Sequence, residues 1–257
     1  MAQKVKLTTH CIQVRGRPAR YQTVGEGESV VLVHGLSAPS LWWRRNVPAL
    51  ARHYRLYLVD LPGFGAMHFP RARFVLADAT SWLLDWMKAI GLKRAHFIGH
   101  SMGGYVSLWL AAHHPEVVAR LVLVAPAVMP QVKTVSGYFV PLVAAVRHMP
   151  PAFLPILSFD ALRAGPVTLL RALRSLIMLD VREEIAAVTA PTLLLWGEND
   201  TLVPPSLGHI LHKEISHSRL VVLKDAAHVC MFDRPRDFDA AVLSFLNGRQ
   251  GDKAEDV

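Results

Sequence analysis

A single serine lies among glycines in the segment GHSMGG, residues 99–104. The residues from Gly99 to Gly103 match the pattern G-x-S-x-G, in which a sharp turn between a strand and a helix raises the serine above a sheet. An apolar segment precedes Ser101, and a run rich in alanine and leucine follows it. Glycines on either side leave room for a strained backbone. The pattern predicts that Ser101 is a nucleophile at an elbow built with Gly99 and Gly103.

A serine hydroxyl is a weak nucleophile at neutral pH, so this hypothesis requires a histidine base and an acid that orients the histidine. Asp200 follows the apolar segment TLLLWG, with Glu198 as the rival acid, and His228 follows the apolar segment RLVVL. The carboxyl ends of parallel strands meet at one edge of a sheet. We therefore expect Ser101, Asp200 and His228 to form a catalytic triad.

Acyl transfer also requires hydrogen-bond donors for the negative oxygen that develops in the transition state. The backbone N–H of Met102 begins the helix after Ser101, where the helix dipole favours negative charge. The Leu36 N–H, in the loop after the first core strand, is the second expected donor. Before it, His34 and Gly35 are expected to form a tight turn around a buried histidine. The amides of Leu36 and Met102 are the predicted oxyanion hole.

Apolar, β-branched segments alternate with segments of helical period along most of the chain. The apolar segments lack polar alternation, which indicates strands buried on both faces, as in a parallel sheet. They occupy residues 29–35, 54–63, 95–101, 120–127, 192–200 and 219–228. Helices are expected at Trp42 to His53, Val75 to Ile90, Met102 to His113 and Arg234 to Leu246. The segment around RGRPAR alternates as an antiparallel hairpin would, at one edge of the sheet. The pattern predicts an α/β fold with helices on both faces.

One long segment, from Val128 to about Ile185, has helical period and no strand pattern. Within it, Pro166 suits the first turn of a helix that carries leucines on one face and arginines on another. We expect residues 128–185 to be an insertion of helices, and residues 1–127 and 186–257 to form the core.

Composition excludes several classes of function. The 257 residues carry a net charge of +8, but no basic run is interleaved with aromatic residues, so nucleic-acid binding is not expected. Cys11 and Cys230 make neither a disulfide framework nor a metal cluster, and both thiols are expected to be buried or half-buried. No segment has the length of a membrane span or the apolar core of a signal peptide, so we expect a cytoplasmic protein without stable membrane insertion.

Taken together, these segments resemble the α/β-hydrolase superfamily in family order. The resemblance rests on VVLVHGL, YLVDLPGFG, FIGHSMGG, LVLVAPA, LLLWGENDTLVP and AAHVCMFDRP. It implies a mostly parallel eight-stranded sheet flanked by helices, with a helical lid between the sixth and seventh strands. It also implies the triad and oxyanion positions given above. Relatives commonly have a serine shortly after GFG, where this chain has Ala66 and Met67, so that loop is given no polar role.

Positions near the triad distinguish branches of the superfamily. Haloalkane dehalogenases and epoxide hydrolases have aspartate in place of Ser101, which disfavours both. Carbon–carbon bond hydrolases of aromatic ring-cleavage products resemble the chain in SLWWRRNVPAL, but commonly have Asn and Trp where His100 and Val229 stand. Cofactor-free acyltransferases and perhydrolases share the triad, and so does a ligand sensor that retains it.

The predicted lid is apolar and basic. Between Val128 and Leu179 its net charge is +4, with Asp160 as the single acid. An apolar lid favours a hydrophobic substrate. The sequence predicts a carboxylesterase, monomeric or homodimeric and without metal or cofactor, acting on small hydrophobic esters that are short- to medium-chain or aromatic. We expect His100, Val229, Tyr138 and Phe139 to line its substrate pocket.

Overall fold

The computed structural model describes residues 6–36, 40–64, 67, 76–129, 134, 137, 139–148, 151–178 and 181–248. Eight strands of the described residues form one sheet. These strands are β1 (Thr8–Val14), β2 (Arg17–Val24), β3 (Ser29–Val33), β4 (Arg55–Val59), β5 (Ala95–His100), β6 (Val118–Val124), β7 (Thr192–Gly197) and β8 (Ser218–Leu223). Their order across the sheet is β1-β2-β4-β3-β5-β6-β7-β8.

Helices connect the strands and cover the sheet. In the described part of the chain they are α1 (Val47–Leu50), α2 (Leu76–Ala89), α3 (Met102–His113), α4 (Phe139–His148), α5 (Leu154–Ala164), α6 (Pro166–Ile177), α7 (Arg182–Ala187), α8 (Pro205–Glu214), α9 (Cys230–Asp233) and α10 (Pro235–Leu246). No described helix combines the length and the hydropathy that a bilayer crossing requires.

The sheet is antiparallel at one edge and parallel elsewhere. Strand β1 pairs with β2 and β2 with β4 in antiparallel register, and the pairs from β4 through β8 are parallel. Arg15 and Gly16 join β1 to β2 with φ values of 52° and 71°, as a two-residue hairpin turn requires. The predicted edge hairpin and mostly parallel eight-stranded sheet are confirmed.

Alternate residues of the central strands point to opposite faces of the sheet and enter separate apolar clusters. In β3, Val31 and Val33 belong to one cluster, and Val30 and Leu32 to the other. Because both faces are covered, these strands read as continuous apolar runs in the sequence.

The predicted helix from Trp42 to His53 is wrong. The chain instead forms a 3₁₀ turn at Ser40–Trp43 and the short helix α1. Between them, the Asn46 side chain donates hydrogen bonds to the Met231 carbonyl (3.0 Å) and to Asp239 Oδ1 (2.9 Å). These tertiary contacts fix the segment in a shape that local helical period does not predict.

The segment between β6 and β7 contains α4, α5, α6 and α7, and no strand among its described residues. Helix α6 begins at Pro166 as predicted, buries Leu176, and exposes Arg171 and Arg174. The assignment of residues 128–185 to a separate lid stays a prediction. Outside this segment, Cys230 is buried, whereas Cys11 is exposed on an edge strand, which corrects the expectation for that thiol.

Candidate active site

Ser101 occupies a strained turn between β5, which ends at His100, and α3, which begins at Met102. Its φ of 51° and ψ of −114° are disfavoured for a residue with a side chain. A hydrogen bond from its own N–H to the Val124 carbonyl (2.9 Å) helps to hold it there. The strand, the turn and the helix have the geometry that the G-x-S-x-G pattern predicts.

Gly99 and Gly103 allow the close approach of backbone segments at this turn. A Cβ atom at Gly99 would collide with the Gly103 carbonyl oxygen, and one at Gly103 would collide with the carbonyl oxygens of Val33 and His34. Any larger residue at either position would push α3 away from the sheet and move Ser101.

Asp200 and His228 form a direct hydrogen bond. Nδ1 of His228 lies 2.8 Å from Oδ2 of Asp200, whose side chain is buried. The other carboxylate oxygen accepts hydrogen bonds from the backbone N–H groups of Leu202 and Val203, both at 2.9 Å. Because a carboxylate oxygen only accepts, Nδ1 of His228 is the donor in this hydrogen bond.

The rival acid lies elsewhere. Glu198 is exposed, and its Oε2 accepts a hydrogen bond from the Asp225 N–H (3.2 Å). The geometry therefore favours Asp200 over Glu198 as the partner of His228.

His100, the residue before Ser101, connects the serine turn to the loop of His228. Nε2 of His100 donates to the His228 carbonyl oxygen (2.9 Å), and the centroids of the two rings are 4.8 Å apart. Among the hydrogen bonds of the described residues, none joins the Ser101 hydroxyl to His228. Such bonds are often long in the absence of substrate and shorten in the reacting complex.

The ring of His100 is neutral. It is only 1% exposed, and burial, reinforced by the nearby His228, lowers its pKa well below the usual value. Since Nε2 carries the proton, Nδ1 is unprotonated, and it has no hydrogen-bond partner among the described residues. The structure thus gives His100 a contact that anchors the loop of His228, and the predicted pocket role of His100 stays a prediction.

The loop after β3 packs against Ser101. A Cβ atom at Gly35 would lie 3.1 Å from the Ser101 Cβ, so the segment that continues to Leu36 adjoins the serine. In the same loop, His34 is buried, contacts the Gly35 carbonyl through Nδ1 (2.7 Å) and accepts from the Leu61 N–H through Nε2 (2.9 Å). His34 therefore holds two loops together. This placement supports the predicted oxyanion role of the Leu36 and Met102 amides.

Sequence reasoning missed a contact between the helices after β6 and the active site. The indole N–H of Trp42 donates to Oδ2 of Asp160 on α5 (3.1 Å), and the Trp42 ring centroid lies 5.6 Å from that of His100. The other oxygen, Oδ1 of Asp160, has no partner among the described residues. Burial raises the pKa of Asp160 to about 6. The sequence feature that could have indicated this contact is that Asp160 is the single acid in an apolar, basic segment.

A second contact links the same group of helices to the loop of the acid. The Thr201 hydroxyl, next to Asp200, donates to the Pro141 carbonyl of α4 (3.1 Å). Helices α4 and α5 therefore touch loops that carry or adjoin the predicted triad.

The remaining predicted site residues have mixed outcomes. Val229 is buried in the core at the start of α9. Tyr138 lies outside the described residues, as does the side chain of Phe139. Cys230 is fully buried, and burial raises the pKa of its thiol. No group of three or more potential metal-ligating side chains in the described part of the chain is arranged to hold an ion.

The chain is similar to known hydrolases over most of its length. Residues 28–148 match the family model of the alpha/beta hydrolase fold. A pimeloyl-[acyl-carrier protein] methyl ester esterase of Aeromonas hydrophila is 31% identical over 86% of this chain and 96% of its own length. A 2-hydroxy-6-oxo-6-(2'-aminophenyl)hexa-2,4-dienoic acid hydrolase of Metapseudomonas resinovorans is 28% identical over 93% of this chain and 90% of its own. The crystal structure of a serine hydrolase involved in carbazole degradation superposes with a TM-score of 0.80 at 28% identity, covering 95% of this chain and 100% of that one.

Proposed function

This chain belongs to the alpha/beta hydrolase family, and from that premise we propose that it is a serine hydrolase that cleaves carboxylic esters through an acyl-enzyme on Ser101. The observation that carries the proposal is the 2.8 Å hydrogen bond between Asp200 and His228. It orients the imidazole beside a strained serine turn, to which His100 ties the loop of the base. An oriented base next to such a serine is what nucleophilic acyl transfer requires.

In the proposed mechanism, Nε2 of His228 takes the proton of the Ser101 hydroxyl as its oxygen attacks the ester carbonyl. Asp200 stabilises the imidazolium that forms, and its two backbone hydrogen bonds keep its carboxylate in place. The amides of Leu36 and Met102 donate to the oxyanion.

Collapse of the tetrahedral intermediate releases the alcohol, which receives the proton from His228. Water, deprotonated by the same imidazole, then attacks the acyl-enzyme. A second collapse frees the acid and returns the proton to Ser101.

The proposed substrates are hydrophobic esters with short- to medium-chain or aromatic acyl groups. The apolar character of the helices between β6 and β7 supports this class. The relative from Aeromonas hydrophila is a methyl ester esterase, which supports a small alcohol group.

A second candidate function is hydrolysis of a carbon–carbon bond in a dienoate. The similarity to the dienoic acid hydrolase of Metapseudomonas resinovorans favours it. The departures at His100 and Val229, where such enzymes commonly have Asn and Trp, make it the weaker candidate.

The decisive experiment measures turnover of p-nitrophenyl esters from acetate to palmitate, of aliphatic methyl esters and of a ring-cleavage dienoate. Ser101→Ala is the test variant, and Ser216→Ala, which changes an exposed serine, is the matched control. We expect ester turnover that falls by about 10⁴-fold or more in Ser101→Ala and is unchanged in the control.

Each alternative outcome has a clear meaning. Dienoate turnover without ester turnover would replace the esterase by the carbon–carbon hydrolase. Full ester activity in Ser101→Ala would exclude the acyl-enzyme on this serine. Inactivity of the folded wild type on every substrate would overturn both candidates and favour acyl transfer or ligand sensing.

A further inference from the structure

Large apolar side chains are exposed on the helices between β6 and β7. Leu162 is 83% exposed, Val167 58% and Leu170 49%. Most large apolar side chains exposed in the described part of the chain lie between residues 143 and 178. Exposed apolar groups concentrated in one region mark an interaction surface more often than a solvated one.

These side chains form stripes on two adjacent helices. Helix α5 buries Asp160 and Ala164 and exposes Leu162 and Arg163, and α6 buries Ala172 and Leu176. The two helices pack against each other, joined by Gly165. Their exposed stripes constitute what we call the outer helical face, which consists of Leu162, Arg163, Val167, Leu170, Arg171 and Arg174.

The charge of the outer helical face is compensated only in part, by the buried Asp160, which interacts electrostatically with Arg163. No ion pair of the described residues involves Arg163, Arg171 or Arg174. Asp160, the only acid in the sequence from Val128 to Leu179, is 2% exposed and bonded to Trp42 beneath the face. By contrast, Arg15 on the hairpin pairs with Asp85 at 2.6 Å.

This combination matches a surface that lies at a bilayer interface. There, apolar side chains leave water for the acyl boundary, and arginines contact the anionic headgroups above them. A surface of anionic lipid satisfies both parts of the outer helical face, because its headgroups carry the opposite charge and its acyl boundary takes up the apolar side chains. We propose that the outer helical face docks the protein peripherally on an anionic lipid surface. This inference goes beyond the proposed function and does not depend on it.

The test is co-sedimentation of the full chain with vesicles of phosphatidylcholine, with and without phosphatidylglycerol. A charge variant combines Arg163→Gln, Arg171→Gln and Arg174→Gln, and an apolar variant combines Leu162→Ser, Val167→Ser and Leu170→Ser. The matched control, with Arg17→Gln, Arg52→Gln and Arg236→Gln, removes the same charge from exposed positions elsewhere. Thermal unfolding by circular dichroism checks that each variant is folded.

We expect the wild type and the control to bind phosphatidylglycerol vesicles and to bind pure phosphatidylcholine weakly. The charge variant should bind roughly 100-fold more weakly, at roughly fivefold per arginine. The apolar variant should lose at least about tenfold, because the removed groups no longer leave water.

Four results would overturn the proposal. The first is absence of wild-type sedimentation at any phosphatidylglycerol content. The second is an apolar variant that binds like the wild type, which would mean adsorption by charge alone. The third is a wild-type dimer that the apolar variant abolishes, without vesicle binding, because the face would then join two copies. The fourth is saturable binding of a purified acidic carrier protein without vesicle binding, because the partner would then be a protein.

Discussion

Asp200 and Asp160 are both buried carboxyl groups, but the regions that hold them supply different numbers of hydrogen-bond donors. The loop after β7 gives Asp200 hydrogen bonds from His228, Leu202 and Val203. Helix α5 leaves Asp160 with the Trp42 indole on one oxygen and no described partner on the other. Burial raises the pKa of Asp160 to about 6, although the Trp42 indole and Arg163 act in the opposite direction. The loop after β7 therefore supplies its carboxyl group with more hydrogen-bond donors than α5 and its neighbours supply to Asp160.

Substitutions in the two regions should therefore have different consequences. A change at Asp200 alters the orientation of His228 and should act on turnover. A change at Asp160 alters how α5 is held against Trp42, and should act on stability and its pH dependence. The predictions below test this separation, starting with the largest effect.

The largest effect is expected for Asp200→Asn. An amide can donate to Nδ1 and thereby stabilise the wrong tautomer of His228, which leaves Nε2 protonated and unable to accept from Ser101. We expect kcat on an active ester to fall on the order of 10³- to 10⁴-fold. Steady-state kinetics on the best p-nitrophenyl ester measures it.

Two variants accompany this prediction. Glu198→Gln should leave kcat nearly unchanged, because Glu198 is exposed and contacts Asp225. Asp160→Asn should change kcat by no more than a few-fold. If kcat falls further in Glu198→Gln than in Asp200→Asn, the role of the acid belongs to Glu198.

A smaller effect is expected for His100→Ala. This change removes the hydrogen bond to the His228 carbonyl and leaves space beside the rings of Trp42 and His228. The loop of His228 is then less well positioned. We expect kcat to fall by about 10- to 100-fold while KM changes little. His100→Asn, which keeps a donor, should recover part of the loss. Equal kcat in wild type and His100→Ala would mean that the contact is structural only.

The third prediction concerns pH. The pKa of Asp160 in the folded protein, about 6, is above the usual aspartate value of 3.8. Its contribution to stability is therefore fully present below about pH 4 and is lost as the pH rises through about 6. Asp160→Asn removes this loss, so the variant should gain stability relative to wild type over that range, by up to about 3 kcal/mol.

Urea unfolding of both proteins at several pH values from about 4 to about 7 measures this difference. Asp239, whose pKa burial raises to about 7, is present in both proteins and cancels in the comparison. A difference that does not vary with pH would mean that Asp160 does not titrate in this range.

The smallest effect is expected for Trp42→Phe, which removes the indole donor. The bond favours the ionised form of Asp160, so its loss should raise the pKa of Asp160 further and extend the pH-dependent loss of stability above pH 6. The coupling between Trp42→Phe and Asp160→Asn in a double-mutant cycle should be about 1 kcal/mol near neutral pH. A coupling of zero would show that the indole does not stabilise the carboxylate.

Much of the fold and of the candidate site follows from local sequence. The sheet is predicted because strands covered on both faces must be continuously apolar, and the edge hairpin because its residues alternate. The serine turn is predicted because backbone segments approach too closely at Gly99 and Gly103 for a side chain. The positions of Asp200 and His228 directly after strands place them at the same edge of the sheet.

Contacts between distant residues could not be predicted in this way. Asn46 and Asp239 are 193 residues apart, His100 and His228 are 128 apart, and Trp42 and Asp160 are 118 apart. The first pair replaces a predicted helix by a turn. The second ties the end of β5 to the loop of His228, and the third joins α5 to the candidate site.

The sequence by itself determined the strand order along the chain, the serine turn and the candidate triad, because these depend on backbone sterics and on short apolar patterns. Only the tertiary structure showed that Asp200 and not Glu198 contacts His228, gave His100 its contact with the loop of His228, and left Asp160 buried without full compensation. Hydrogen bonding and desolvation depend on which groups meet in space, and residues more than 100 positions apart carry no local pattern that encodes such a meeting.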